Sequence, residues 1–234
     1  MVARWSARGL LDAAGRRFRP ERRVAQAADG TGSAERIVGT SGQAFPTAFL
    51  PDATGLLVYG DSGNQIDDIS LVDLGGDNAA TPLLAVAAFS ERSPDLSPDG
   101  RWIAYESDES GRAEIYVRPF PDVDAGRWQV STSGGTEVLW SRDGRELFYR
   151  NGAALMVASV ETDPAFVVGS PELVFEHRYF GGFPGAPQGG RAYDVSPDGE
   201  RFLMIKPVED STAAPHIIIV ENWIEELKRL VPTE

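Results

Sequence analysis

Ser97-Pro98-Asp99-Gly100-Arg101-Trp102-Ile103-Ala104-Tyr105 reads as a tight turn feeding a β-strand. Proline at the second turn position presets φ, aspartate tolerates the next position, and glycine ends the turn. The aromatic and aliphatic run behind it has the composition of a strand. The stretch returns as Ser141-Arg142-Asp143-Gly144-Arg145-Glu146-Leu147-Phe148-Tyr149 and as Ser196-Pro197-Asp198-Gly199-Glu200-Arg201-Phe202-Leu203-Met204. A looser copy is Leu50-Pro51-Asp52-Ala53-Thr54-Gly55-Leu56-Leu57-Val58-Tyr59, and a weak one is Trp5-Ser6-Ala7-Arg8-Gly9. Gly55 and Gly100 are 45 residues apart, Gly100 and Gly144 are 44 apart, and Gly144 and Gly199 are 55 apart. The excess in the last interval matches a Gly/Pro-rich insert, Gly181 to Gly190. A period of about 40–45 residues holding several short strands is what propeller blades show.

Each unit has room for four strands. After the turn strands at Arg101–Glu106 and Glu146–Arg150, the next are expected at Glu114–Arg118 and Ala154–Val160, and the outer ones at Arg127–Ser131 and Glu172–Glu176. Asn151-Gly152 is a strong hairpin signal between two of them. The expected fold is therefore all-β, a β-propeller of four-stranded antiparallel blades with four clear repeats and one degenerate one. Residues 1–35 form the degenerate or truncated first blade with an Arg-rich start, and residues 36–220 the blades. Residues 221–234 form a C-terminal helix and tail. The helix rests on Trp223, Leu227 and Leu230 at spacings of four and three, with Asn222 as cap, Glu225 and Glu226 early, Lys228 and Arg229 late, and Pro232 as terminator.

The chain has 234 residues, is 42% hydrophobic and carries a net charge of −13. That surface repels a phosphate backbone, so nucleic acid is not an expected partner. Residues 1–23 hold seven arginines against Asp12 and Glu21, a local +5, which leaves −18 on the rest. They read as a frayed or truncated first repeat rather than a basic presequence. There is no cysteine, which excludes disulfides and thiolate chemistry. No run of 18 apolar residues exists, so no direct membrane span is expected.

The Ser-Pro-Asp-Gly turn followed by a strand such as Arg101–Tyr105 resembles the TolB-like, WD-repeat-like β-propeller repeat. Ser107–Arg118, Pro119-Phe120-Pro121 and Gly126-Arg127-Trp128-Gln129-Val130-Ser131 resemble a bacterial subgroup more specifically. In that subgroup such propellers often form the C-terminal, extracytoplasmic part of membrane-anchored serine/threonine protein kinases. Trp140–Tyr149, Tyr193–Lys206 and Asn222–Pro232 match the ends of those chains. The resemblance spans about residues 30–232 and implies a protein- or ligand-sensing module in an extracytoplasmic setting. Kinase chemistry is not carried over, because the nucleotide loop, the Val-Ala-Ile-Lys strand, the His-Arg-Asp loop and the Asp-Phe-Gly motif are all absent.

No residue constellation reads as catalytic, so the chain is expected not to be an enzyme. Gly60-Asp61-Ser62-Gly63 copies the surroundings of a serine nucleophile, but both histidines, His177 and His216, lie after Ser62, and the spacing Asp210 to His216 is wrong for the late-His alternative. A hairpin turn is the simpler reading of Ser62, and structural histidines that of His177 and His216. Asp122, Asp124 and Gly126 hint at a calcium loop whose remaining ligands are missing. Asp67-Asp68 and Asp108-Glu109 read as solvated turns. No metal or other cofactor is expected. Arg101 and Arg145 follow equivalent turn glycines, which is repeat-level structure. One positional site remains. Asp95 and Asp194 lie two residues before Ser97 and Ser196, on strands that line a propeller channel. With Glu137 and Arg191 nearby they form a candidate ligand-binding channel mouth. The alternative is that they hydrogen-bond neighbouring blades.

The function expected is non-catalytic binding or scaffolding, with a protein or small molecule held on the propeller face. Two alternatives stand beside it. One is the propeller part of a prolyl oligopeptidase-like hydrolase, which would need a Gly-x-Ser-x-Gly elbow that is absent here. The other is an incomplete propeller, whose open blade edges would drive self-association.

Overall fold

The computed structural model describes residues 24–25, 35–36, 44–61, 66–76, 79–180 and 191–206. A hairpin comes first, β1 (Val24–Ala25) paired with β2 (Glu35–Arg36). Blade 1 is β3 (Ala44–Phe49), β4 (Gly55–Asp61), β5 (Asp67–Asp73) and β6 (Ala80–Leu84). Blade 2 is β7 (Glu91–Leu96), β8 (Trp102–Ser107), β9 (Glu114–Pro119) and β10 (Trp128–Gln129). Blade 3 is β11 (Thr136–Trp140), β12 (Glu146–Asn151) and β13 (Ala154–Glu161), with β14 (Val167–Val168) and β15 (Glu172–Glu176) both paired to β13. Blade 4 shows β16 (Tyr193–Val195) and β17 (Phe202–Met204). Every pairing is antiparallel and joins strands consecutive in the chain, except that β15 also pairs with β13. The expected all-β blades are therefore present. The outer strand of blade 2 is shorter than expected, two residues instead of five. Ser62, His216 and the expected C-terminal helix lie outside the described residues.

The blades stack face to face because their strands alternate apolar residues towards both neighbours. On β8, Ile103 and Tyr105 pack into blade 1 with Leu57, Tyr59 and Ile69, while Ala104 faces blade 3 with Leu147 and Tyr149. On β12, Phe148 faces blade 4 with Tyr193 and Phe202. Ile103, Ala104, Leu147 and Leu57 are fully buried. Each fully buried aliphatic side chain contributes about 1.5–3 kcal/mol, and one sheet alone would leave both faces wet, so the blades stabilise one another.

The repeat turns are built alike. Ser97 Oγ donates to Asp99 Oδ1 at 2.6 Å and accepts from the Trp102 N–H at 3.0 Å. Ser141 donates to Asp143 at 2.7 Å and accepts from the Glu146 N–H at 2.9 Å, and Ser196 bonds Asp198 and accepts from the Arg201 N–H. The glycines sit in the left-handed region, with φ of 70° at Gly100 and Gly144 and 75° at Gly199. In the looser copy the structure corrects the alignment. The left-handed residue is Ala53 (φ 58°), whereas Gly55 already opens β4. Asp52 holds this turn by accepting from the Thr54 N–H and hydroxyl.

The turns also touch across blades. A Cβ at Gly100 would lie 2.9 Å from Pro51 of the preceding turn, while one at Gly199 would meet nothing within 4 Å. Gly100→Ala and Gly199→Ala therefore share the left-handed cost of about 1–2 kcal/mol, and Gly100→Ala adds a clash. Urea unfolding should show Gly100→Ala as the more destabilised of the two. Equal losses would mean that the turn contact carries no weight.

Candidate functional site

The inner strands β3, β7 and β11 each carry a β-bulge. Ser93 and Pro94 together oppose Tyr105, and Glu137 and Val138 oppose Tyr149. In β3 the extra residue is Thr47. Ser93 (φ 49°) and Glu137 (φ 55°) are left-handed non-glycine residues, each costing about 1–3 kcal/mol unless the surroundings impose it. The surroundings do so here. The bulge turns the Glu137 N–H out of its own ladder and towards blade 2, where it donates to Glu106 Oε1 at 2.6 Å.

The four residues expected at the channel mouth divide into two pairs. Asp95 and Glu137 bind neighbouring blades. Asp95 Oδ2 accepts from the Trp140 N–H at 2.8 Å, and Glu137 Oε2 accepts from the Ala192 N–H at 2.8 Å. Arg191 and Asp194 stand on the wall of a cavity of about 380 Å³. Thr47, Ser93, Val138 and Ala192, one from each blade at the bulge level, line it, and Leu203 and Ile205 bound its blade 4 side. Arg191 is held firmly. Its Nη1 donates to the Val138 carbonyl at 3.0 Å, its Nε to the Tyr193 carbonyl at 3.3 Å, and Nη1 lies 3.9 Å from Asp95 Oδ1. Asp194 is exposed and accepts from its own neighbour, the Val195 N–H.

Burial pushes the carboxyls of Asp95, Glu106 and Glu137 above the ordinary range. Arg191 and the Trp140 N–H oppose the shift at Asp95. The Ala192 N–H, Arg150 and Arg191 oppose it at Glu137. Burial also raises the Tyr193 phenol well above its usual value. That hydroxyl donates to the Glu137 carbonyl at 2.8 Å.

Three buried carboxylates escaped sequence reading, Glu91, Glu106 and Glu114. Glu106 follows Tyr105 as Arg150 follows Tyr149, and both are buried between blades. Glu114, 1% exposed, bonds the Ser131 hydroxyl, the Gly134 N–H and Arg112 Nε, tying the exit of blade 2 to the entry of blade 3. The only available signal was a charged residue adjoining an apolar run.

The other candidates do not assemble. His177 is exposed, with its ring 4.9 Å from that of Tyr179. Asp124 is exposed, and its nearest cation is Arg118 at 3.9 Å. Among the described residues no three His, Cys, Asp or Glu side chains converge as a metal site would require, and no helix is long and apolar enough to cross a membrane.

Glu91, at the start of β7, has its carboxyl raised to about 7, first by burial and further by Asp68, Asp108 and Glu109, against the Val86 N–H. Its folded pKa lies above the unfolded value. The stability it contributes is therefore fully present below about 4.5 and is lost as pH rises through about 7. The turn carboxyls Asp52, Asp143 and Asp198 are lowered by hydrogen bonds from their own turns, so their contribution is lost as pH falls below 3.8. Urea midpoints measured from pH 4.5 to 8 should decline for the natural chain and decline less for Glu91→Gln. An unchanged slope in the variant would remove Glu91 as a source of the decline.

No family model matches the chain. An uncharacterized protein of Agrobacterium fabrum is 27% identical over 192 residues, which are 76% of this chain and 61% of that protein. The chain thus spans about three fifths of the curated relative it matches. Among solved structures, a TolB-type protein from Agrobacterium tumefaciens superposes with a TM-score of 0.55 at 22% identity, over 76% of this chain and 63% of that one. TolB from Acinetobacter baumannii gives 0.55 at 17% identity, over 79% and 42%. A protein of Bacteroides uniformis described as a 6-phosphogluconolactonase gives 0.50 at 17%, over 78% and 56%. At these identities the likeness establishes the TolB-like propeller fold.

Proposed function

We propose that the chain is a non-catalytic binding module whose ligand enters the cavity between the inner strands and meets Arg191, with Asp194 at the rim. The carrying observation is that three blades bring their bulges to one cavity, and blade 4 adds a firmly held guanidinium and an exposed carboxylate to its wall. Cation and anion on one apolar-backed wall suit a zwitterionic, peptide-like ligand, its carboxylate on Arg191 and its ammonium on Asp194. Asp95 and Glu137 are positioning residues in this reading, because each gives an oxygen to a neighbouring blade. The motifs at Ser107–Arg118 and Gly126–Ser131 favour a sensory or scaffold role like that of propellers attached to bacterial serine/threonine kinases or of TolB-like proteins. The fold adds only an analogy.

Short peptides with free termini and an apolar side chain are the probe. Their addition should raise the thermal midpoint of the full chain as the logarithm of peptide concentration. Asp194→Asn should weaken the response and Arg191→Gln should abolish it, with circular dichroism checking that both variants fold. The same shift with blocked, uncharged peptides would sink the zwitterion assignment. Cleavage of the peptides by the chain would replace binding with hydrolysis.

A further inference from the structure

A second cavity lies away from the inner strands, beside the outer strands of blade 2. It holds about 410 Å³, and Phe89, Glu109, Ser110, Tyr116, Arg127 and Gln129 line it. That volume falls within the range of small-molecule sites, about 300–1,000 Å³. The segments Ser107–Arg118 and Gly126–Ser131 meet here, since β9 supplies Tyr116 and β10 sets Gln129 opposite it.

The walls are pinned from within the chain. The Phe89 N–H donates to the Val86 carbonyl at 3.0 Å, and the adjoining Ser90 N–H donates to Asp108 Oδ1 at 2.8 Å. The Asp108 carbonyl accepts from the Gly111 N–H at 2.8 Å, which closes the turn bearing Glu109 and Ser110. Gln129 Nε2 donates to the Ser131 carbonyl at 2.8 Å. Arg127 lies over the Tyr116 ring, 5.6 Å from its centre, and pairs with Glu109. The Tyr116 hydroxyl hydrogen-bonds the side chains of Ser110 and Glu109. Glu109, expected in a solvated turn, has a side chain only 18% exposed.

This arrangement selects by charge. Arg127 and Glu109 offset one another, so the lining is neutral as a whole. Asp108 and Glu109 both act on the nearby Glu91 carboxyl, so an anion docking on Arg127 would meet an acidic border. A cation would meet Arg127 itself. A hydroxyl escapes both penalties, because it donates and accepts at once. Glu109 offers the acceptor and Arg127 the donor, and adjacent hydroxyls can span the two. Phe89 adds a half-buried apolar surface, and the electron-rich face of an aromatic ring attracts C–H groups. A pyranose has both parts, a rim of hydroxyls and a C–H face.

We propose that this cavity binds a neutral saccharide, its hydroxyls on Glu109 and Arg127 and its C–H face on Phe89. The site shares no lining residue with the cavity of Arg191, so it stands or falls apart from the peptide reading.

The full chain, isotope-labelled, would be titrated with glucose, cellobiose, maltose and lactose while its proton–nitrogen spectra are followed. At least one of them should bind with a Kd of about 1 mM and shift the side-chain signals of Arg127 and Gln129. Gln129→Ala should weaken that binding about fivefold and Arg127→Gln about tenfold. The uronate of the best-binding sugar should bind more weakly than the sugar itself. No response from any of the four at about 10 mM would overturn the proposal. So would tighter binding of the uronate, or binding that Arg127→Gln leaves unchanged. Shifts centred on Arg191 and Asp194 would overturn it too, by assigning the sugar to the inner cavity. Should Arg127→Gln lose its β-sheet circular dichroism, Arg127→Lys repeats the test, since it keeps the charge and loses the planar fork.

Discussion

A buried backbone N–H needs an acceptor, and the blade junctions of this protein are organised around that need. The inner strands present backbone N–H groups to the preceding blade, at the bulge residue Glu137 and at Trp140 and Ala192. Glu106 answers the Glu137 N–H, Asp95 answers the Trp140 N–H, and Glu137 answers the Ala192 N–H. These three carboxylates run in one direction along the stack, each reaching forward to the next blade. Apolar burial supplies the bulk of the stacking energy and tolerates sliding. These bonds fix which residue of one blade meets which of the next.

The same arrangement explains why carboxyls are tolerated near the centre of the stack. Burial disfavours their charge, and the backbone N–H groups and nearby guanidinium groups restore part of the loss. Arg150 shows the limit of this compensation. It is 3% exposed and donates Nη2 to the Gly152 carbonyl, while its Nε and Nη1 have no hydrogen-bond partner. Its charge is offset by that of Glu137 instead. A junction assembled this way is specific, because removing either member leaves the other buried and unanswered.

The turns were legible in the sequence because their chemistry is local. Serine, aspartate and glycine satisfy one another within five residues, so Ser97–Trp102 carries its structure wherever it is placed. The strand order followed from the period and from Asn151-Gly152. What escaped depends on neighbours distant in the chain. Nothing in Thr-Glu-Val marks Glu137 as left-handed, since the conformation is imposed by Glu106, 31 residues away. Ala53 takes a glycine's place because Asp52 and Thr54 hold the turn around it, which a composition rule favouring Gly55 misses. The candidate site was half legible. Position two before the serine marked Asp95 and Asp194 alike, and the presence of a following blade then separated their roles.

That separation bears on what the cavity can do. A general base needs a lone pair aimed at substrate and room to accept a proton there. Asp95 and Glu137 each direct an oxygen at a backbone N–H of the next blade, so protonating them would loosen a junction as well as serve a reaction. Arg191 is different. Its bonds to the Val138 and Tyr193 carbonyls fix its orientation on the cavity wall before any ligand arrives. Recognition by such a group loses little conformational entropy, whereas Asp194, exposed and bonded within its own strand, can adjust. A fixed cation beside an adjustable anion suits the proposed zwitterionic ligand, and the cation is fixed in part by an inter-blade bond, from Arg191 to the Val138 carbonyl.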